Sequence, residues 1–312
     1  MIETIEDIKP TCFHMISAKL KGHLASATTY TIFGLNIVMC KDIANCDLLS
    51  PYALYLLRAA GATALFWLLS VMMPREHVSR ADMLRILVAS FVGLFIPQMT
   101  FLVAITMTTS IDTSILSSFS PIMTMFVAAI ALKEPITWMK AGGVALSFAG
   151  VMLLIFNTMH SAGSVETSSP WGIALIVLNC LSFAIYLGVF RPLISRYSVV
   201  TFMKWMFLFS TAYCLPFCLP DAIHTPYSQL PTNIVLEIIY VVMFATFIAY
   251  FLVPIGQKHI RPTLVSLYSY LQPIIAVVIS ICIGMDRLSW QKVAAIICVF
   301  TGVWVVSRSK KA

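Results

Sequence analysis

The sequence predicts an all-α integral membrane protein: ten transmembrane helices arranged as two inverted five-helix repeats. Three observations carry that expectation. The 312 residues are 60% hydrophobic and 11% charged, with a mean hydropathy of +0.92, whereas an average soluble domain is about a quarter charged. Ten apolar runs of spanning length follow one another through short connections. The second half of the chain repeats landmarks of the first.

A hydrocarbon core about 30 Å thick takes roughly 20 apolar residues of helix. Runs of that size are centred in 22–40, 52–73, 83–106, 113–132, 138–156, 171–190, 200–219, 234–256, 263–284 and 290–307. The connections are marked by Pro, Gly, Asn and Asp and leave no room for a separate soluble domain. The opening stretch 1–21 carries Glu3, Glu6, Asp7 and Lys9 ahead of any apolar run. That is the wrong order for a cleaved signal peptide, so a short cytoplasmic amphipathic piece is expected there, followed by a first span that is retained.

The 20 Lys and Arg against 13 Asp and Glu leave a formal charge of +7, which in a soluble protein would raise nucleic acid as a partner. In a chain this apolar the charges are read as a topology label instead, because Lys and Arg accumulate in short cytoplasmic loops. With the N-terminus inside, 16 of the 20 fall in inner segments, three (Lys41, Arg287, Lys292) in outer ones, and Arg58 within a span. Both termini are therefore expected in the cytoplasm, and no nucleic-acid partner is expected. The eight cysteines form no CxxC pair and lie mostly in apolar runs, so they read as packing residues. The six histidines are scattered over loops and ends, and there is no Walker motif. No metal, cofactor or ATP-driven step is expected.

The repeat is visible at an offset of 152 residues. Ser114-x-x-Ser117-x-x-x-Pro121-Ile122 aligns with Ser266-x-x-Ser269-x-x-x-Pro273-Ile274. Glu134 then meets Asp286, Trp138-x-Lys140 meets Trp290-x-Lys292, and Phe148-x-Gly150-Val151 meets Phe300-x-Gly302-Val303. Upstream, Phe101-Leu102-Val103 resembles Phe251-Leu252-Val253 at an offset of 150. Each unit holds five spans, an odd number, so the second copy enters the membrane inverted, the arrangement from which alternating-access carriers are commonly built around a midplane site.

These residues carry a resemblance. Ile115-Leu116-x-x-x-x-Pro121, Leu132-Lys133-Glu134-Pro135-Ile136-Thr137-Trp138 and Gly142-Gly143-x-x-Leu146-x-x-x-Gly150-Val151 resemble the EamA domain of the drug/metabolite transporter superfamily. Leu264 to Val306 resembles a second copy, and Pro51 with Leu57-Arg58 the family's second helix. Asp286 stands where the family usually has Glu, and Lys204 near where the second copy would carry Arg. The resemblance implies a cytoplasmic segment 1–21, a first repeat over 22–158, an outer linker 159–170, a second repeat over 171–308 and a tail 309–312. It further implies a ten-helix carrier of small metabolites or drugs, commonly moving them outward.

Arg58 is the sharpest single residue, since a mid-helix Arg costs about 2.5–3.5 kcal/mol to insert. It reads either as the counter-charge of a substrate carboxylate, or a gating pair with Glu237, or as a side chain snorkelling to the outer headgroups. Ser26, Thr29 and Asn36 share one face of the first helix, and Asn179, Ser182 and Tyr186 one face of the sixth. With Gln98, Ser117, Thr246, Tyr250, Tyr268, Tyr270 and Gln272 they predict one polar-lined central cavity flanked by Phe33, Phe101, Phe183 and Phe247; interhelical hydrogen bonding is the plainer reading of each. The cavity candidates for substrate contact are Asn36, Arg58, Gln98, Ser117, Asn179, Tyr186, Tyr250, Tyr268, Tyr270 and Gln272. Pro121 and Pro273, equivalent in the two copies, are hinge candidates beside Pro97 and Pro254, with a static kink as the alternative. Glu134 and Asp286, with caps at Thr137 and Ser289 and ion-pair partners in Lys140 or Lys292, read as structural. Ala141, Ala145 and Ala149 in the fifth span, and Ala294 and Gly302 in the tenth, suit close helix packing within the monomer or across a homodimer.

No Asp or Glu falls near the middle of a span; Asp112, Glu134, Glu237 and Asp286 lie at or near ends. A carrier for organic cations relies on such a carboxylate. The expected substrate is therefore a small neutral, zwitterionic or weakly anionic metabolite, with amino acids and their analogues leading, exported across a bacterial inner membrane. A multidrug or nucleotide-sugar carrier is the nearest rival, the latter calling for more basic residues in the cavity. A membrane acyl- or glycosyltransferase would need paired carboxylates or a His/Asp set at one face, which no loop contains. A non-transporting interaction protein would leave the inverted repeat unexplained. The partners expected are thus the substrate and the lipid bilayer.

Overall fold

A computed structural model describes residues 8–108, 113, 116–162, 169–282 and 290–309. Among these residues the protein is helical and turned, without strands. In chain order the long helices are α1 (Ile8–Asn45), α2 (Pro51–Val71), α3 (Arg80–Met107), α4 (Ser120–Leu132), α5 (Trp138–Ala162), α6 (Pro170–Val189), α7 (Val199–His224), α8 (Thr232–His259), α9 (residues 262–282) and α10 (Trp290–Arg308). Helices α2, α3, α6, α7, α8 and α10 are each long and apolar enough to cross a bilayer, and α4 and the first part of α5 are shorter apolar helices. A short helix, Arg191–Arg196, joins α6 to α7. The boundaries follow local chemistry. Ser50, Ser79 and Ser198 each accept a hydrogen bond from the backbone N–H three residues on, at 3.1, 3.2 and 3.2 Å, opening α2, α3 and α7. Thr137 caps α5 in the same way, at 3.2 Å from the Lys140 N–H. Lys133 ends α4 in the left-handed region at φ 54°.

Helix α1 departs from the sequence expectation. It runs unbroken for 38 residues from Ile8, so the helix begins well before residue 22. Asp112, Ser114, Ile115, Asp286, Arg287 and Ser289, the first seven residues, linker residues 163–168 and the tail from 310 lie outside the described residues.

Consecutive helices alternate in direction and define two faces. One, here the basic face, carries the connections at 72–79, 133–137, 190–198 and 260–261 with Arg75, Lys133, Arg191, Arg196 and Arg261. The opposite face carries those at 46–50 and 225–231. The halves interlock: α1 lies along α8, α6 along α3, α2 along α7 and α5 along α10, so each principal pair joins the first half to the second. Between α2 and α7 the contacts are Tyr55 hydroxyl to Ser210 hydroxyl at 2.5 Å, Thr63 to Thr211 at 2.8 Å, and Phe66 stacked on Phe207 at 5.4 Å. Lys204, the residue at the family's expected arginine, sits over the Trp67 ring at 5.1 Å.

The α5–α10 seam is the tightest. A Cβ on Gly143 would lie 2.8 Å from the Gly302 carbonyl, and one on Gly150 2.8 Å from the Ala295 carbonyl. Ser147 donates to the Val299 carbonyl across the seam at 3.1 Å. The seam thus uses Gly143, Ser147 and Gly150, while Ala145 and Ala149 are exposed. Periodicity identified small residues but not which of two small-residue stripes meets the partner, because glycine alone permits backbone-to-backbone approach at this distance. A leucine at Gly302 would drive its Cβ into Ser147 and the Gly143 carbonyl. Gly302→Leu should lower the thermal midpoint in detergent by an amount equivalent to about 1–3 kcal/mol or more, whereas Ala145→Leu should leave it unchanged.

Candidate functional site

Two of the helices are not regular. In α3 the segment Phe91–Phe95 winds as a π-helix, and in α8 the segment Val241–Ile248 does the same. Their first residues are 150 positions apart, the offset that relates the two halves in this region. In α3 the cause is local: Pro97 has no N–H to continue the ladder, and Ile96 donates five residues back, to the Phe91 carbonyl. In lipid the carbonyls freed by such turns need partners, and one face of α6 supplies them. Ser182 donates to the Val92 carbonyl and Asn179 to the Pro97 carbonyl, each at 2.5 Å. One turn on, the Tyr186 ring fills the space left by Gly93. In α8, Thr246 donates to the Val241 carbonyl at 2.7 Å, and Thr29 of α1 reaches the Ala249 carbonyl at 3.5 Å.

Beside these turns lies a cavity of about 120 Å³. Its polar wall is Asn36 of α1, Arg58 of α2, Gln98 of α3, Ser117 just before α4 and Ser120 at its start, Asn179 of α6, and Ser269 and Gln272 of α9. Tyr30, Phe33, Phe101, Phe183 and Tyr250 form the aromatic wall. Several lining residues are repeat mates: Ser117 with Ser269, Ser120 with Gln272, and Phe33 with Phe183. The cavity is therefore lined by equivalent residues of both halves. Among the described residues no Asp or Glu lines it. A second cavity of about 210 Å³ shares Ile37, Ser117, Ser269 and Gln272 with the first and continues past Lys41 and Asp42 toward the opposite face.

Arg58 is 2% exposed. Its Nε donates to Thr246 Oγ1 at 3.0 Å, and its Nη1 lies 3.9 Å from Cys40 Sγ. It neither snorkels to a surface nor pairs with Glu237; among the described residues no carboxylate forms an ion pair with it. Gln98 is 4% exposed; its amide lies beside the Tyr250 hydroxyl, and neither amide atom makes a hydrogen bond of good geometry among the described residues.

Several contacts tie the helices together at the basic face. Arg191 donates from Nε to the Gln257 carbonyl at 3.1 Å and from Nη2 to the Ile260 carbonyl at 3.3 Å, and its Nη1 lies 3.9 Å from Glu134. Lys140, itself buried, holds Glu134 at 2.7 Å, the structural role expected of that carboxylate. Gln257 donates to the Leu187 carbonyl at 3.3 Å, His23 bonds the Tyr268 hydroxyl at 2.8 Å, and Gly22 packs on His259. Nearby, burial disfavours ionisation of Glu76, but hydrogen bonds from the Ser198 backbone and side chain and from Thr201 outweigh it and hold the carboxyl below its usual range.

A profile of the EamA-like transporter family matches residues 20–156 and again 170–308. The chain belongs to the EamA-like transporter family. It is 24% identical to an uncharacterized transporter of Archaeoglobus fulgidus over 93% of this chain and 100% of that one. It is 24% identical to the uncharacterized transporter YetK of Bacillus subtilis over 95% and 90% of the two chains, and 23% identical to the uncharacterized inner membrane transporter YicL of Salmonella typhimurium over 84% and 86%. A crystal structure superimposes with a TM-score of 0.73 over 93% of this chain and 96% of the other at 15% identity, which shows the fold alone.

In this EamA-like transporter seven of the ten cavity candidates line the cavity: Asn36, Arg58, Gln98, Ser117, Asn179, Tyr250 and Gln272. Three do not. Tyr186 is fully buried against Gly93, Tyr270 is buried in the core, and Tyr268 turns to His23 near the basic face. Phe247 packs on Phe66 at 4.7 Å instead of flanking the cavity. Helical spacing told which residues share a face but not what that face meets. Pro121 and Pro273 each follow a break in the helix, a turn at 118–119 and a tight turn at Tyr268–Tyr270. Sequence reasoning missed Tyr30, Ser120 and Ser269, although the repeat offset itself links Ser269 to Ser117 and Ser120 to Gln272.

The two kinds of polar residue separate by stability. Ser182→Ala strips a partner from a buried carbonyl and should cost about 1–3 kcal/mol, read as a lower thermal midpoint in detergent. Gln98→Ala removes an amide that interacts with the Tyr250 hydroxyl but holds no backbone carbonyl among the described residues, so the midpoint should fall by less than for Ser182→Ala.

Proposed function

We propose that the chain is a secondary transporter that exports small neutral or zwitterionic organic metabolites, amino acids foremost, across a bacterial inner membrane by alternating access. The observation that carries the reading is the cavity lined by equivalent residues of both halves, polar and aromatic, without a carboxylate among its described lining residues and adjoined by a second cavity toward the face opposite the basic one. An inverted repeat whose site lies at the seam between halves is what rocking of one half against the other requires. The charge distribution supports both termini in the cytoplasm, so the basic face is cytoplasmic and the arrangement described is outward-facing. In this reading Arg191, Glu134, Lys140, Gln257 and His23 hold the inner end shut, and the paired breaks before Pro121 and Pro273 mark where the backbone can bend. The reading assigns the chain no catalytic chemistry.

Reconstitution into liposomes tests it. With counterflow of labelled neutral and zwitterionic amino acids, sugars, hydroxy acids and a cationic dye, flux is expected for zwitterions and not for the dye. Dye flux without flux of any neutral or zwitterionic compound would contradict the substrate class.

A further inference from the structure

We infer that Lys41 and Arg191, equivalent residues of the two inverted halves, are reciprocal clasps for the two ends of the transporter, and that having Arg at one and Lys at the other sets which end rests closed. The inference rests on the transport reading above and adds what determines its resting orientation.

The equivalence is in the sequence. The offset of 150 that pairs Phe33 with Phe183 also pairs Lys41 with Arg191, and it pairs Ile105, near the end of α3, with Ile255, near the end of α8. Lys41 lies in the final turns of α1 and Arg191 directly after α6, so each stands at the end of the first helix of its half. Each bonds the end of the third helix of the same half. Lys41 Nζ donates to the Ile105 carbonyl at 3.3 Å. Arg191 donates from Nε to the Gln257 carbonyl at 3.1 Å and from Nη2 to the Ile260 carbonyl at 3.3 Å. The last carbonyls of a helix lack intrahelical partners and stand at the negative end of its dipole, which suits them to a cation.

The two grips are unequal. The guanidinium spans two carbonyls and keeps Nη1 3.9 Å from Glu134 of the other half. The ammonium reaches one carbonyl, and among the described residues no carboxylate pairs with it. A planar fork holds two acceptors in fixed geometry, whereas an ammonium is a point charge on a flexible stem.

Packing beside each clasp follows its grip. Gly188, three residues before Arg191, lies so close to α4 that a Cβ there would stand 2.8 Å from the Val127 side chain. Its equivalent Val38, three residues before Lys41, instead lines the second cavity together with Ile37 and Lys41 itself. The same stretch of the repeat is thus packed shut at the basic face and open at the opposite one. Two copies of one fold held in different conformations can exchange them, which turns the open end of an inverted repeat to the other side. In the exchanged state Lys41 grips, the wall at Val38 closes and Arg191 slackens. The balance between the states follows the difference between the two grips, and Arg at the basic face weights it toward the arrangement described.

The test exchanges the two cations, which keeps the charge and the composition. In a variant with the eight native cysteines replaced, spin labels at the exposed residues Ile136 and Ser195 report the basic face, and labels at the exposed residues Asn45 and Gln291 the opposite face. Distances are read in liposomes by pulsed electron spin resonance, beside flux of labelled amino acids. Otherwise wild-type protein should give a short distance at the basic face and a long one at the other. Arg191→Lys and Lys41→Arg should each raise the population with the reverse pattern about tenfold, since each changes a charge-assisted hydrogen bond, and the double exchange should make it the majority. Lys41→Ala should shift the balance the opposite way. Unchanged distances in the folded double exchange, or both distances lengthening together, would overturn the clasps, and persisting flux would leave the transport reading standing. If the double variant does not fold, Lys41→Arg alone carries the test, and unchanged distances there would overturn the clasps. Absence of flux for every amino acid, sugar, hydroxy acid and dye in the wild type would overturn the transport reading and the clasps with it.

Discussion

Backbone hydrogen bonds have no water to fall back on in hydrocarbon, and this requirement governs the centre of the molecule. Helices α3 and α8 each break their ladder with a π-helical turn at equivalent places in the two halves. Each break releases carbonyls that must be caught, and the catching groups come largely from a helix of the other half. Ser182 and Asn179 of α6 serve α3, and Thr29 of α1 reaches α8. The breaks therefore do two things at once. They widen the backbone beside the cavity, and they fasten the first half of the chain to the second.

The same requirement explains the position of Arg58. Thr246 satisfies a carbonyl released by the α8 turn and then has lone pairs left for Arg58. Two repeat copies would make a symmetric cavity, and for hydroxyls and rings they nearly do: Ser117 answers Ser269, and Phe33 answers Phe183. The polar wall is less symmetric, since the residue 150 positions beyond Gln98 is Ile248.

Much of this was legible in the residues. Run length gave spans that differ from the observed helices by a few residues at most ends, because a run of apolar side chains bounded by Ser, Pro or charge is both a hydrophobic and a capping signal. The long α1 escaped, since Lys9 to Lys21 is helical without being apolar. Composition singled out Arg58 and Gln98 because polar groups are rare in spans and costly there. The π-helical turns were not legible: Gly93 and Pro97 flank one of them, but a change from 3.6 residues per turn leaves no mark in a uniformly apolar run. For the same reason Tyr186 looked like a cavity residue. Its face was read correctly, and the glycine opposite, which takes its ring, was invisible from α6 alone.

The central claim is that a single site between interlocked halves is reached from one side at a time. Accessibility of a cysteine placed at Ser269, in a variant with the eight native cysteines replaced, tests it most directly. Membrane-impermeant thiol reagents would be applied from each side of oriented vesicles, with and without a gradient of transported substrate. The account predicts labelling from the face opposite the termini in the resting protein, and labelling from the termini's face once a gradient drives turnover. Labelling from both faces at once, or from one face under every condition, would contradict it.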